Sequence, residues 1–239
     1  MKTAVLAFGI LVWVSLMSPP ARAGAAQPHA FAFVLDHTDP WAPGHIQALA
    51  ERAGELDAEL RGKDCVWVFS LGNDRHAARL AFSRACPKRG VEANLLFEGR
   101  DYVEELFRRG FAAPLTAVFD SVVNSAAVSR VSAVAEALSQ VTRFSTFARA
   151  SGARRLVIFS DLVENVREFS FYEQQCLLKP DGTPFLDEWN ADLRGVDVEV
   201  FVLLRERDTR VQRSKLIEEW RKLLHYWGAK SVTFTKVAE

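Results

Sequence analysis

The run Phe31-Ala32-Phe33-Val34-Leu35 is apolar at every position and stops abruptly at Asp36-His37-Thr38-Asp39-Pro40, two carboxylates bracketing a hydroxyl. A strand with one wet face alternates polar and apolar residues, so an unbroken run of this kind belongs to a strand covered on both faces. Arg154-Arg155-Leu156-Val157-Ile158-Phe159-Ser160-Asp161 repeats the design, a β-rich apolar run ending in a carboxylate. Val196 to Leu204 and Ser231 to Val237 read as two further strands.

Between these runs the apolar spacing turns helical. Pro43 to Arg61 places Ile46, Leu49, Ala50, Ala53, Leu56 and Leu60 three and four residues apart. Val131 to Phe147 puts Val134, Ala137, Leu138, Val141 and Phe144 on one face, and Arg210 to Trp227 carries the stripe Leu216, Ile217, Trp220, Leu223, Leu224 and Trp227, a pattern of core packing. Gly90 to Phe119 is less regular, with a helix expected over Tyr102 to Arg109. Alternation of this kind implies a three-layer α/β fold: a doubly wound, mostly parallel sheet with helices on both faces. Cys65 to Leu71 and Ala78 to Arg84 flank the turn-like Gly72 to His76 and read as a hairpin, which adds one antiparallel edge strand.

Lys2, the apolar stretch Ala4 to Met17 and the small-residue site Ala21-Arg22-Ala23 form the three-part pattern of a signal peptide over residues 1–23. Cleavage after Ala23 leaves a short segment, 24–30, and one domain, 31–239. The chain is thus expected in the periplasm or secreted. The apolar stretch is too short to span a bilayer comfortably, so no stable membrane anchor is expected. Basic and acidic residues balance at 30 each, which gives no field to attract nucleic acid. The run Arg205-Glu206-Arg207-Asp208 has alternating signs and reads as a solvated strand end.

Export to an oxidising compartment makes the three cysteines informative. In an antiparallel hairpin Cys65 and Cys86 fall near each other at the open end, so a disulfide between them is one reading. Three separate thiols, or a Cys86–Cys176 bridge, are the others.

Loops at the carboxyl ends of parallel strands are where open α/β sheets bind ligands. Asp36, Thr38 and Asp39 emerge there, and an oxygen-only set suits a hard cation, although the same residues serve as ordinary caps and turns. If the strands ending at Asp36 and Asp161 are neighbours, about 4.8 Å apart, one cation can be shared between their loops. Ser132, at the start of the helix preceding the second acidic strand, supplies a further hydroxyl.

With these residues the chain resembles a von Willebrand factor type A (vWA)-like domain with a metal-ion-dependent adhesion site, and is similar to exported bacterial proteins of that type. The matching positions are Asp36 and Thr38, Ser132 ahead of Ala137-Leu138, and Asp161. Pro40 stands where the family has a third hydroxyl, so one direct ligand is lost. The resemblance implies Mg²⁺, or Mn²⁺ or Ca²⁺, bound by Asp36, Thr38, Ser132 and Asp161, with an acidic residue of a protein partner completing the shell. It implies a binding or assembly module, not an enzyme. Asp39, Glu164 and Asn165 are placed to support the ligands or face the partner, or to cap turns. Two alternatives remain: a vWA-like scaffold that binds no metal, and a Mg²⁺-dependent phosphatase-like hydrolase using Asp36 as nucleophile. Against the hydrolase, Thr38 stands where such enzymes carry a second Asp. His37 and His45 lie near the site with no zinc spacing and read as loop or surface residues.

Overall fold

Ala32 and Val34 pack into one hydrophobic layer while Phe31, Phe33 and Leu35 pack into the other, and none of the five is more than 2 % exposed. This two-sided burial is what the unbroken apolar run demands of the first strand. The computed structural model describes residues 27–72, 78–94, 96–125, 129, 131–212 and 214–239. The segment read as a signal peptide, and residues 73–77 of the hairpin turn, lie outside the described residues.

The elements run β1 (Ala30–Asp36), α1 (Pro43–Glu59), β2 (Cys65–Leu71), β3 (Arg79–Ala85), α2 (Arg100–Phe107), α3 (Ala113–Asn124), α4 (Val134–Arg143), α5 (Ser145–Ala148), β4 (Arg154–Ser160), β5 (Asn165–Val166), β6 (Phe169–Ser170), β7 (Val196–Leu203), α6 (Ser214–Tyr226) and β8 (Ser231–Val237). Six strands form one sheet in the order β3-β2-β1-β4-β7-β8. All neighbours are parallel except β2 and β3, so β3 is the antiparallel edge strand that the hairpin reading required. Helices α1, α2 and α3 cover one face, around Leu49, Leu56, Phe107 and Phe119. Helices α4 and α6 cover the other, around Val134, Leu138, Trp220 and Leu223. The expected three-layer α/β fold is therefore the one observed.

The irregular stretch after Gly90 has a local cause. Between α2 and α3 the chain makes a π-helical turn over Arg108–Ala112. Pro114 follows in the first turn of α3 and has no N–H to give the Gly110 carbonyl. Arg84 of β3 takes that acceptor instead, its Nη1 donating to Gly110 O at 2.7 Å. Helix α6 begins at Ser214, four residues after the expected start at Arg210, and Gln212 is bonded instead into the loops at the sheet edge.

The hairpin corrects the expected disulfide. Cys65 lies opposite Ala85 in the antiparallel register, so Cys86, one residue further on, projects to the other face. Cys65 packs against the α4–α6 layer and Cys86 within the α1–α3 layer, and Cys65, Cys86 and Cys176 are all free thiols.

Candidate functional site

Strands β1 and β4 are immediate neighbours, with Leu35 beside Phe159, so Asp36 and the Ser160-Asp161 pair leave the sheet side by side. The Asp36 carboxylate is 3 % exposed and both its oxygens are engaged. Oδ1 accepts from the Thr38 amide at 3.1 Å and the Thr38 hydroxyl at 2.6 Å, while Oδ2 accepts from the Ser160 hydroxyl at 2.7 Å. The indole Nε1 of Trp41 donates to the Asp36 carbonyl at 2.7 Å and pins the turn.

The second acidic loop is held in an unusual backbone shape. Leu162 has φ +61°, a left-handed conformation that costs a non-glycine residue about 1–2 kcal/mol. Three bonds hold this turn: the Leu162 amide to Ser160 Oγ at 2.9 Å, the Val163 amide to Asp161 Oδ1 at 2.9 Å, and Trp220 Nε1 to the Leu162 carbonyl at 2.8 Å. Burial, then the nearby charge of Asp36, holds the Asp161 carboxyl well above the ordinary carboxylate range, against the pull of the Val163 amide and Arg205.

Arg205, in the loop after β7, is the residue that joins the two loops. Its Nε donates to Asp161 Oδ2 at 3.3 Å and its Nη1 to the Pro40 carbonyl at 2.8 Å, and Nε stands 4.0 Å from Asp39 Oδ2. Gln212 fixes this loop by accepting from the Arg205 amide at 2.7 Å and donating to the carbonyls of Asp161 and Leu203. Arg207 pairs with Asp39 and, at 3.2 Å, with Asp208. The expected solvated charge run is thus corrected: Arg205 and Asp208 are 6 % and 5 % exposed, because the end of β7 turns inward between two acidic loops.

Ser132 is brought to the same edge, since the Ser129 amide donates to the Thr38 carbonyl at 2.7 Å and Ser132 exchanges backbone bonds with Asn165. It precedes α4 and its buried hydroxyl has no hydrogen-bond partner. Glu164 is fully buried, and its Oε2 accepts from the Ala135 amide at 2.9 Å in the first turn of α4. Burial pushes its carboxyl up to about 8, although the amides of Ala135 and Val134 oppose the shift. Its other oxygen, Oε1, and Asp39 Oδ1 are buried without a partner. His45 is not a surface residue: it is fully buried, its Nδ1 accepting from the Ala42 amide at 3.3 Å, so Nε2 carries the proton toward Leu204 O at 3.1 Å.

Asp36, Thr38, Asp161 and Ser132 therefore meet at one edge, with Asp39, Glu164 and Asn165 around them. Sequence reasoning missed Arg205, Ser160 and Gln212. The available signal was that Arg205 follows an apolar strand ending at the same sheet edge. A Mg²⁺ or Ca²⁺ ion needs a shell of about six to eight oxygens. Among the described residues no three His, Cys, Asp or Glu side chains are grouped to hold a metal. The Thr38 hydroxyl donates to Asp36 and keeps its own lone pairs, while the Arg205 guanidinium, bonded to Asp161 and the Pro40 carbonyl, already puts a positive charge between the loops. The Arg205 charge is the one feature of this edge that opposes a divalent ion there. The two Asp36 oxygens accept from Thr38 in its own loop and from Ser160 at the end of β4.

Strand order and strand polarity define a three-layer α/β domain with two acidic loops at one edge of its sheet. No protein-family model and no curated protein matches the chain. Among solved structures it is similar to the conserved hypothetical protein BatB from Bacteroides thetaiotaomicron, at 13 % identity and TM-score 0.44 over 87 % of this chain and 90 % of that one. It is also similar to the human COPII-coat protein Sec24c, at 12 % identity and TM-score 0.41 over 88 % of this chain and 30 % of that one.

Proposed function

We propose that this chain is an exported protein-binding module of vWA-like architecture whose recognition edge works without a resident divalent cation, Arg205 supplying the positive charge. The observation that carries the reading is the buried guanidinium bonded to both Asp161 and the Pro40 carbonyl. Like charges repel strongly at low dielectric, so a divalent ion entering beside Arg205 meets an opposing charge that its oxygen ligands must outweigh. The guanidinium also ties the loops after β1, β4 and β7 together, which gives a partner a preorganised surface. Export rests on the pattern of residues 1–23.

Thermal melting of the purified protein with millimolar MgCl₂, MnCl₂ or CaCl₂, and with chelator, tests the reading. A ligand that binds the native state raises the melting temperature by mass action. Superimposable melts are expected. A cation-dependent rise that vanishes in Asp36→Ala would show an operating metal site and sink the proposal.

A further inference from the structure

The far end of the sheet, where β1 and β2 begin, carries a cavity of about 430 Å³. That volume falls within the range of small-molecule sites. Its floor is one face of the β2–β3 hairpin. Cys65 lies opposite Ala85 and Trp67 opposite Ser83, so these four side chains leave the sheet on the same side. Trp67 packs edge-on against Phe147 of α5, while Ser83 and Ala85 stay exposed. Helix α4 packs over β1 and β2 and the four-residue α5 over β1, which leaves the end of β3 open beside them.

The facing wall is the turn from α5 into β4. A Cβ added at Gly152 would run into the Pro28 carbonyl oxygen, so only glycine lets residues 27 and 28 close against this turn. The Ala30 amide donates to Ala153 O at 2.9 Å and the Cys65 amide to His29 O at 2.9 Å, which ties the same segment to β4 and β2. Backbone contacts thus hold the cavity in shape.

The charge around it has one sign. Lys63 and Arg149 line it with the His29 imidazole, and no Asp or Glu is among the described residues that do. Arg84 lines it too, but its guanidinium donates to Gly110 O. Asp64, next to Cys65, spends its oxygens on the amides of His29 at 2.8 Å and Arg61 at 2.9 Å. In a chain of formal net charge +0 this is a local arrangement and not an overall excess. Lys63 keeps its place at a left-handed φ of +78°, its amide donating to Cys86 O at 2.8 Å. Glycine would take that backbone without strain, so the lysine stands there against its conformational preference.

We propose that this cavity binds a small organic phosphate, its head group held by Lys63, Arg149 and the hydroxyls of Ser83, Thr146 and Ser151, and its apolar part laid over Trp67 and Ala30. A phosphate brings three acceptor oxygens and up to two negative charges to this donor set, a carboxylate two oxygens and one charge. The site lies at the other end of the strands from Arg205, so it goes beyond the protein-binding reading and does not depend on it.

Isothermal titration calorimetry with phenyl phosphate, inorganic phosphate, benzoate and the uncharged benzyl alcohol tests the assignment. Phenyl phosphate is expected to bind tightest and benzyl alcohol not at all. Lys63→Gly removes the ammonium and relaxes the backbone, so it should melt at or above the wild type while weakening phenyl phosphate by roughly tenfold. Ala85→Trp, at an exposed floor position, should block the cavity and abolish binding with the fold intact. Flotation with phosphatidylglycerol vesicles, beside phosphatidylcholine vesicles, separates a lipid head group from a soluble ligand. The proposal is overturned by a wild type that does not bind phenyl phosphate, by an affinity unchanged in both variants, by inorganic phosphate or benzoate binding as tightly, or by capture on the vesicles in place of phenyl phosphate.

Discussion

The Nε of Arg205 lies 3.3 Å from Oδ2 of Asp161, across two loops that leave the sheet from β7 and β4. Both side chains are almost wholly buried, so neither charge has water to fall back on. Removing one member leaves the other desolvated and uncompensated. Arg205→Ala should therefore cost about 3–5 kcal/mol in chemical denaturation. Arg205→Lys should cost less than Arg205→Ala, because it keeps the charge and loses only the two-pronged contact with Asp161 and Pro40.

Glu164 sets a pH dependence with a definite sign. Its folded-state carboxyl titrates near 8 against an ordinary 4.5, so the folded protein binds the extra proton between those values. Stability from this group is therefore highest below about 4.5 and is lost as pH rises toward 8. Glu164→Gln keeps an acceptor for the Ala135 amide and cannot ionise. Denaturant titrations should show the variant near wild type at pH 5 and more stable by about 2–4 kcal/mol at pH 8. Some slope should remain, since the raised Asp161 carboxyl acts in the same direction.

Ser160 links the two acidic loops by donating to Asp36 Oδ2 and accepting from the Leu162 amide. Ser160→Ala leaves a buried carboxylate oxygen and a buried amide unpaired. A loss of about 1–3 kcal/mol is expected, and hydrogen exchange should speed up at Leu162 and Val163 before the rest of β4 is affected.

The cysteines make a chemical prediction. Alkylation of the unfolded chain should add three adducts by mass, one each at Cys65, Cys86 and Cys176. In the native protein Cys176 should react first, because it is exposed. Cys86 should wait for unfolding, since it is buried and its thiol is pushed up to about 12, chiefly by desolvation.

Much of this fold is written in local pattern. The continuous apolar runs at β1 and β4, the helical spacing of α1 and the β2–β3 hairpin all appear where their side chains require them, and the two acidic loops fall at one edge because their strands are parallel neighbours. Less legible was Arg205. Its neighbours Glu206, Arg207 and Asp208 give it the look of a surface residue, and only the inward turn after β7 takes it from water. His45 was hidden for a related reason, because nothing in its own helix signals that the loop after β7 closes over it.

From the sequence alone came the class of fold, a parallel sheet sealed between helix layers, since periodicity and apolar run length act over a few residues and need no knowledge of distant ones. The meeting of Asp36, Asp161 and Arg205 was decided only in three dimensions. Whether a carboxylate recruits a metal or an arginine depends on which loop fills the space above it. That depends on packing among segments far apart in the chain, which here brings the Arg205 guanidinium against Asp161 and the Pro40 carbonyl.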